Sequence, residues 1–250
     1  MNKQLLSLIL LISLFLLPSQ TEIVMAKKEK DRDYYETRGE IVWEVPTNKK
    51  VIALTFDDGP DPIYTRQIAE LLKQYEAKAT FFVVGSRVKA HPDVISQLAK
   101  EKHELANHTY THPDLRRISP DKLQEEVLAT QQEIFRNTQI MTHLFRPPGG
   151  YYSESLVDVA KKSGYLVVMW SWHQDTRDWS DPGVQKIVNK VLNNARNGDI
   201  VLFHDYGGNR KQTVDALREI LPELQKRGYQ FITVSEMMKH YDNSKKVGKD

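Results

Sequence analysis

Across 250 residues the chain carries 35 Lys and Arg against 33 Asp and Glu, a net charge of +2, and no cysteine. So small a positive balance gives no electrostatic footprint for nucleic acid, and the missing thiols exclude disulfides and thiol-linked lipid. The length suits one large domain stabilised by its own core. Asn2 and Lys3 precede an almost wholly Leu, Ile and Phe run over 5–17, then Pro18, Ser19 and Gln20 turn the chain polar and Ala26 supplies a small residue. This pattern predicts a secretory signal over 1–26, since a membrane-spanning helix needs about 20 apolar residues. An uncleaved amino-terminal anchor is the alternative. Residues 27–45 are predicted to be a charged tether, because 27–38 (KKEKDRDYYETR) is dense in both charge signs with little to bury. The domain is predicted over 46–240, with a polar tail at 241–250.

From residue 51 onward short apolar runs alternate with stretches of helical period. Strands are predicted at 51–56, 79–84, 104–107, 144–146, 166–171, 200–204 and 230–234, and helices at 64–75, 93–101, 121–137, 154–162, 184–196 and 214–227. Leu123, Val127, Thr130, Ile134 and Phe135 are assigned to one helical face. Ser119-Pro120 suits a helix start, and Gly164, Gly198 and Gly228 suit helix ends. Repeated strand–helix alternation implies parallel strands with right-handed crossovers, either a βα barrel or an open doubly wound sheet.

In such folds chemistry collects at the carboxyl ends of the strands. Here those ends carry Asp57-Asp58, His108 to His112, Arg146 to Gly150, Asp175 to Trp179, and His204-Asp205. Adjacent carboxylates resist joint ionisation, so Asp57 and Asp58 call for a cation or for different partners. His108 and His112 are four apart and would face the same way on a helical turn. Two imidazoles and one carboxylate form a facial set for a catalytic metal with an open position. Chemistry alone leaves either Asp57 or Asp58 as the third ligand, and the other as a base.

Thr55-Phe56-Asp57-Asp58-Gly59-Pro60, His108-Thr109-Tyr110-Thr111-His112, Arg146-Pro147-Pro148-Gly149, Asp175-Thr176-Arg177-Asp178-Trp179 and Leu202-Phe203-His204 resemble, in order, the five motifs of the polysaccharide deacetylases. These are carbohydrate esterase family four enzymes with a NodB-type homology domain. The resemblance spans about 51–234 and implies an α/β fold, a distorted (β/α) barrel of about seven parallel strands in a single domain. It implies one divalent metal ion, zinc first and cobalt or another divalent ion otherwise, held by Asp58, His108 and His112. Asp57 is then the general base, Arg146 holds that base, and His204 is the general acid. Asp178 best matches the aspartate that orients the acid, with Asp175 the alternative. Gly149 resembles the backbone oxyanion donor, and Trp179 and Leu202 the walls of the acetyl pocket. Many members carry an aromatic residue where this chain has Gly149, so Trp172 and His173 are candidates for the missing sugar-facing surface.

The implied activity is hydrolysis of N-acetyl groups on an amino-sugar polymer by a metal-bound water. Peptidoglycan N-acetylglucosamine or N-acetylmuramic acid comes first as substrate, and chitin oligomers second. The expected partner is the wall polysaccharide, with no nucleic acid and no lipid anchor, for a monomer that is secreted or wall-associated. An O-acetyl esterase on xylan-type glycans and a non-catalytic wall-binding protein are the rival readings. A glycosidase with two rim carboxylates leaves His108 and His112 unexplained, and no Gly-x-Ser-x-Gly motif marks a serine hydrolase.

Overall fold

The computed structural model describes residues 30–242, so the predicted secretory segment and residues 243–250 of the predicted tail lie outside the described residues. In chain order the elements are α1 (Arg32–Thr37), β1 (Ile41–Val42), β2 (Val51–Asp57), α2 (Tyr64–Gln74), β3 (Ala79–Val83), α3 (Gly85–Ala90), α4 (Pro92–Lys100) and β4 (Glu104–Asn107). There follow α5 (Pro120–Thr138), β5 (Leu144–Phe145), α6 (Glu154–Lys162), β6 (Leu166–Val168), α7 (Val184–Leu192), β7 (Asp199–His204), α8 (Lys211–Lys226), β8 (Gln230–Phe231) and α9 (Val234–Met238).

The strands pair in the order β1-β6-β5-β4-β3-β2-β7, and β8 pairs with the start of β2. All of these pairings are parallel. An antiparallel bridge from Glu44 to Asp199 and a parallel one from Asp175 to Leu202 draw the far edges of the sheet together. The sheet therefore curls into a distorted (β/α) barrel within one domain, as expected.

Successive residues of a strand face opposite sides, and the core divides accordingly. Ile52, Leu54 and Phe56 of β2 join Phe81, Val201, Phe203 and the helices in an outer layer. Phe56 stacks on Phe81 at 5.0 Å and on Phe203 at 5.5 Å between ring centroids. Val51, Ala53, Phe82, Ala106, Leu144, Val168 and Ile200 fill the barrel interior. The same parity turns Thr55, Asp57, Arg146, Leu202 and His204 inward, one layer above that apolar plug. An inward polar layer resting on a packed floor is the frame of the site.

Residues 31–45, predicted as part of a solvated tether, belong to the fold instead. Their charges pair locally, with Arg32 at 2.6 Å from Glu36 and 3.0 Å from Glu44. Tyr35, Ile41, Trp43 and Val45 are buried, and β1 pairs with β6 through Ile41–Val167 and Val42–Val168. The period-2 burial of Ile41, Trp43 and Val45 was hidden among charged neighbours. Trp43→Ala should therefore cost about 3–5 kcal/mol of stability, as for other large core truncations. Urea unfolding measures this, and a loss under about 1 kcal/mol would mean that the segment is a detachable strap.

Gly164, Gly198 and Gly228 adopt the expected left-handed conformation, with φ of 80°, 81° and 85°. Phe135 departs from its predicted face and is 41% exposed, because it follows Ile134, which is wholly buried. Glu126 takes a place on the buried side of α5 instead.

Candidate active site

β2 ends at Asp57, and the next residue, Asp58, turns into the left-handed region with φ 77°. That turn separates the adjacent carboxylates and answers the repulsion expected between them. Asp57 stays inside the barrel beneath Arg146, whose Nη1 donates to Asp57 Oδ1 at 2.7 Å and to Thr55 Oγ1 at 2.8 Å. Nε and Nη2 of Arg146 donate to the carbonyls of Val168 and Met169 at 3.1 and 2.7 Å. Phe82 closes the guanidinium face from 4.0 Å. Arg146 is wholly buried, and burial pulls its guanidinium below the usual arginine range while Asp57 opposes the shift.

Asp58 points the other way. Its Oδ1 lies 3.2 Å from His112 Nε2 and 3.5 Å from His108 Nε2. That oxygen is buried and makes no hydrogen bond. The three ligand atoms lie within 4.8 Å of one another. His108 Nδ1 is 2.7 Å from the carbonyl oxygen of Arg146, which can only accept. That bond fixes a proton on Nδ1 and turns Nε2 toward Asp58, the nitrogen that a metal would take. Burial raises the Asp58 carboxyl, but the imidazoles of His108 and His112 more than offset it and hold it well below the usual range.

His108 and His112 do not lie on the expected helical turn. They occupy a loop after β4 in which Thr109 and His112 are left-handed, with φ of 67° and 58°. Glu126 of α5 organises that loop, accepting from the N–H groups of Tyr110 and Thr111 at 2.9 and 2.7 Å and from the Thr111 hydroxyl at 2.9 Å. Asn107 adds a bond from Thr109 N–H to its Oδ1 at 3.0 Å. A carboxylate on a buried helix face was the available signal for Glu126.

At the end of β7, His204 Nδ1 is 2.7 Å from Asp178 Oδ1, and the His204 N–H donates to Asp178 Oδ2 at 2.9 Å. Asp178, and not Asp175, therefore orients the imidazole; Asp175 Oδ1 instead accepts from Arg177 N–H at 3.1 Å. Thr213 donates to Asp178 Oδ2 at 2.8 Å, while Gln212 and Arg210 hold the Asp178 carbonyl at 2.9 and 3.1 Å. Burial works against protonated His204, but Asp178 outweighs it and raises the imidazole to about 9. The sequence held no spacing signal for Thr213, which lies 35 residues beyond Asp178.

Gly149 is exposed and left-handed at φ 63°, with nothing within 4 Å of where a Cβ would lie. Trp179 is 57% exposed, so it is not core, whereas Leu202 is buried at 4%. Trp172 is exposed too, with the Arg32 guanidinium 5.4 Å from its ring. His173 does not face a sugar surface at the rim, because its Nε2 is 2.9 Å from Asp199 Oδ1 at the other end of β7.

His173, Asp199 and Glu44 form a second cluster of ligand-type residues, beside a cavity of about 890 Å³. There Asp199 Oδ2 accepts from Arg196 N–H at 2.8 Å and Gln174 at 2.9 Å, and Glu44 pairs with Arg32. Its carboxylates already have partners, whereas Asp58 Oδ1 has no hydrogen bond. Of the two clusters, only the first offers a buried ligand oxygen without a hydrogen bond.

Residues 44–168 match the family model described as polysaccharide deacetylase. Over 209 residues the chain is 51% identical to a peptidoglycan-N-acetylglucosamine deacetylase of Bacillus cereus, covering 84% of this chain and 98% of that protein. It is 40% identical over 191 residues to a chitooligosaccharide deacetylase of Bradyrhizobium sp., covering 72% and 86%. The crystal structure of the Bc1960 peptidoglycan N-acetylglucosamine deacetylase superposes with a TM-score of 0.79 at 33% identity, over 83% of this chain and 98% of that one.

Proposed function

Because the chain belongs to the polysaccharide deacetylase family, we propose that it removes N-acetyl groups from the amino sugars of peptidoglycan, N-acetylglucosamine first and N-acetylmuramic acid or chitin oligomers after it. The observation that carries this reading is the buried, unpartnered Asp58 Oδ1 converging with two imidazoles, between a carboxylate held by Arg146 and a histidine held by Asp178. Asp58, His108 and His112 would hold one divalent ion, zinc first, as nitrogen and oxygen donors that leave positions open. Bound there, such an ion acidifies a water and polarises an acyl oxygen.

The chain's own residues supply the rest. Asp57 has Oδ1 committed to Arg146, which leaves Oδ2 to take a proton as general base. His204, its Nδ1 committed to Asp178, presents Nε2 as the acid for the departing amine. The Gly149 N–H is the oxyanion donor, and Leu202 and Trp179 bound the acetyl methyl. Neither Asp57 nor Asp58 is left to protonate a glycosidic oxygen, which disfavours glycoside hydrolysis. The export signal predicted over 1–26 and the homology with peptidoglycan deacetylases support a secreted, wall-associated location.

Zinc-loaded chain should release acetate from peptidoglycan fragments and leave free amines without new reducing ends, read by mass spectrometry. Chitin oligomers and acetylated xylan are run alongside. New reducing ends without acetate would overturn the reading, and acetate from xylan alone would transfer it to an O-acetyl esterase.

A further inference from the structure

Asp58 holds a backbone conformation that costs a residue with a side chain free energy, and such a conformation persists only where its surroundings over-determine it. Arg87 donates to the Asp58 carbonyl, and one other residue holds the peptide groups on both sides. The N–H of Asp205 donates to the Asp57 carbonyl at 3.1 Å, and Asp205 Oδ1 accepts from the Gly59 N–H at 2.9 Å. Both peptide groups flanking Asp58 are thus gripped by a single amino acid. Asp205 Oδ2 accepts from the Thr65 hydroxyl, which anchors the carboxylate to α2, and Asp205 is wholly buried. A Cβ at position 59 would overlap this carboxylate, so glycine there is required by the approach of Asp205.

Asp205 also directly follows His204. The acid side of the site and the turn that aims Asp58 are therefore joined through two consecutive residues of β7 and its exit. We propose that Asp205 is a positioning residue that holds the Asp58 turn in its ligating conformation. It touches neither of the imidazoles opposite Asp58, so it acts through the backbone. The proposal rests on the metal reading of Asp58, His108 and His112.

The test compares Asp205→Ala with Asp205→Asn by zinc titration against a chromogenic chelator, with turnover measured at limiting and at saturating zinc. Alanine leaves the buried Gly59 N–H without its acceptor, whereas asparagine retains a carbonyl oxygen in the same place. Alanine is expected to weaken zinc binding about tenfold or more, an effect of the size of one lost buried hydrogen bond. Saturating zinc should restore much of its turnover. Asparagine is expected to stay within about threefold of the parent, since it keeps that bond.

Melting temperatures of the metal-free proteins establish that each variant is folded at the assay temperature. If Asp205→Ala does not fold, Gly59→Ala approaches the same contact from the other side and should weaken zinc binding equally. Unchanged zinc affinity in Asp205→Ala, or in Gly59→Ala where that variant stands in, would overturn the proposal. So would an Asp205→Asn as weak as alanine, because the carboxylate would then act by its charge. A parent chain that binds no zinc would instead sink the reading of the metal site itself.

Discussion

Asp57→Asn is expected to lower deacetylation turnover about 10²–10⁴-fold while zinc still binds, the range general-base assistance usually covers. Asparagine keeps the shape and still accepts from Arg146 through its amide oxygen, but it cannot take a proton. Removing one charge of a buried pair also costs about 3–5 kcal/mol, since Arg146 has no water to turn to. Turnover therefore has to be expressed per folded, metal-loaded molecule. Asp58→Asn should show the opposite division, with zinc affinity lost first. The left-handed turn at Asp58 explains why neighbours in sequence can differ so far in role, as it sends one carboxylate to a guanidinium and the other to two imidazoles. If Asp57→Asn loses zinc and Asp58→Asn keeps it, the two roles have been exchanged.

His204→Ala should cripple acetate release from N-acetylglucosamine oligomers about 10²–10⁴-fold but cost an activated aryl acetate less than about tenfold. An amine leaves only once protonated, whereas an aryl alcohol with a low pKa leaves unaided. The protonated imidazole is the active form of the acid, and Asp178 raises it to about 9. Amide hydrolysis should therefore fall as pH climbs through about 9, and the aryl ester should lack that falling limb. In Asp178→Asn the limb should move toward lower pH, because burial then meets only the weaker pull of Asp57 and Asp58. Equal losses on both substrates in His204→Ala would make the histidine a ligand or a structural residue.

The strands that bear the chemistry were legible because each is an apolar run ending sharply in a polar residue. Their ends, Asp57, Asn107, Phe145 and His204, fall within a residue of where the run of side chains changes character. β1 was not legible because two residues carry little local preference, and its stability comes from β6, over 120 positions away. α3 and α9, at six and five residues, are likewise made by packing rather than by periodicity. Within the site, ligand-type residues could be seen but the turns that aim them could not. Histidine at a spacing of four invites a helix, and only the contacts of Glu126 and Asn107 reveal a loop. Thr213 stayed invisible, and Thr55 and Asp205 stood at the strand ends without a sign of their roles, because their importance lies in partners far along the chain.

The closure of the barrel has a kinetic side. β2, the earliest long strand, waits for β7, whose residues come about 147 positions later, before its second edge is covered (Ile52 pairs with Asp199). Asp178 waits further, for Thr213. No amino-terminal fragment ending before α8 can hold an aligned acid, so partial synthesis yields no partial catalyst. Contacts of such separation slow folding, because the loops must close before the contacts reward closure. The exposed edge of a nascent β2, with seven residues all destined for burial, is thus the segment most in need of protection from other chains while the molecule is being made.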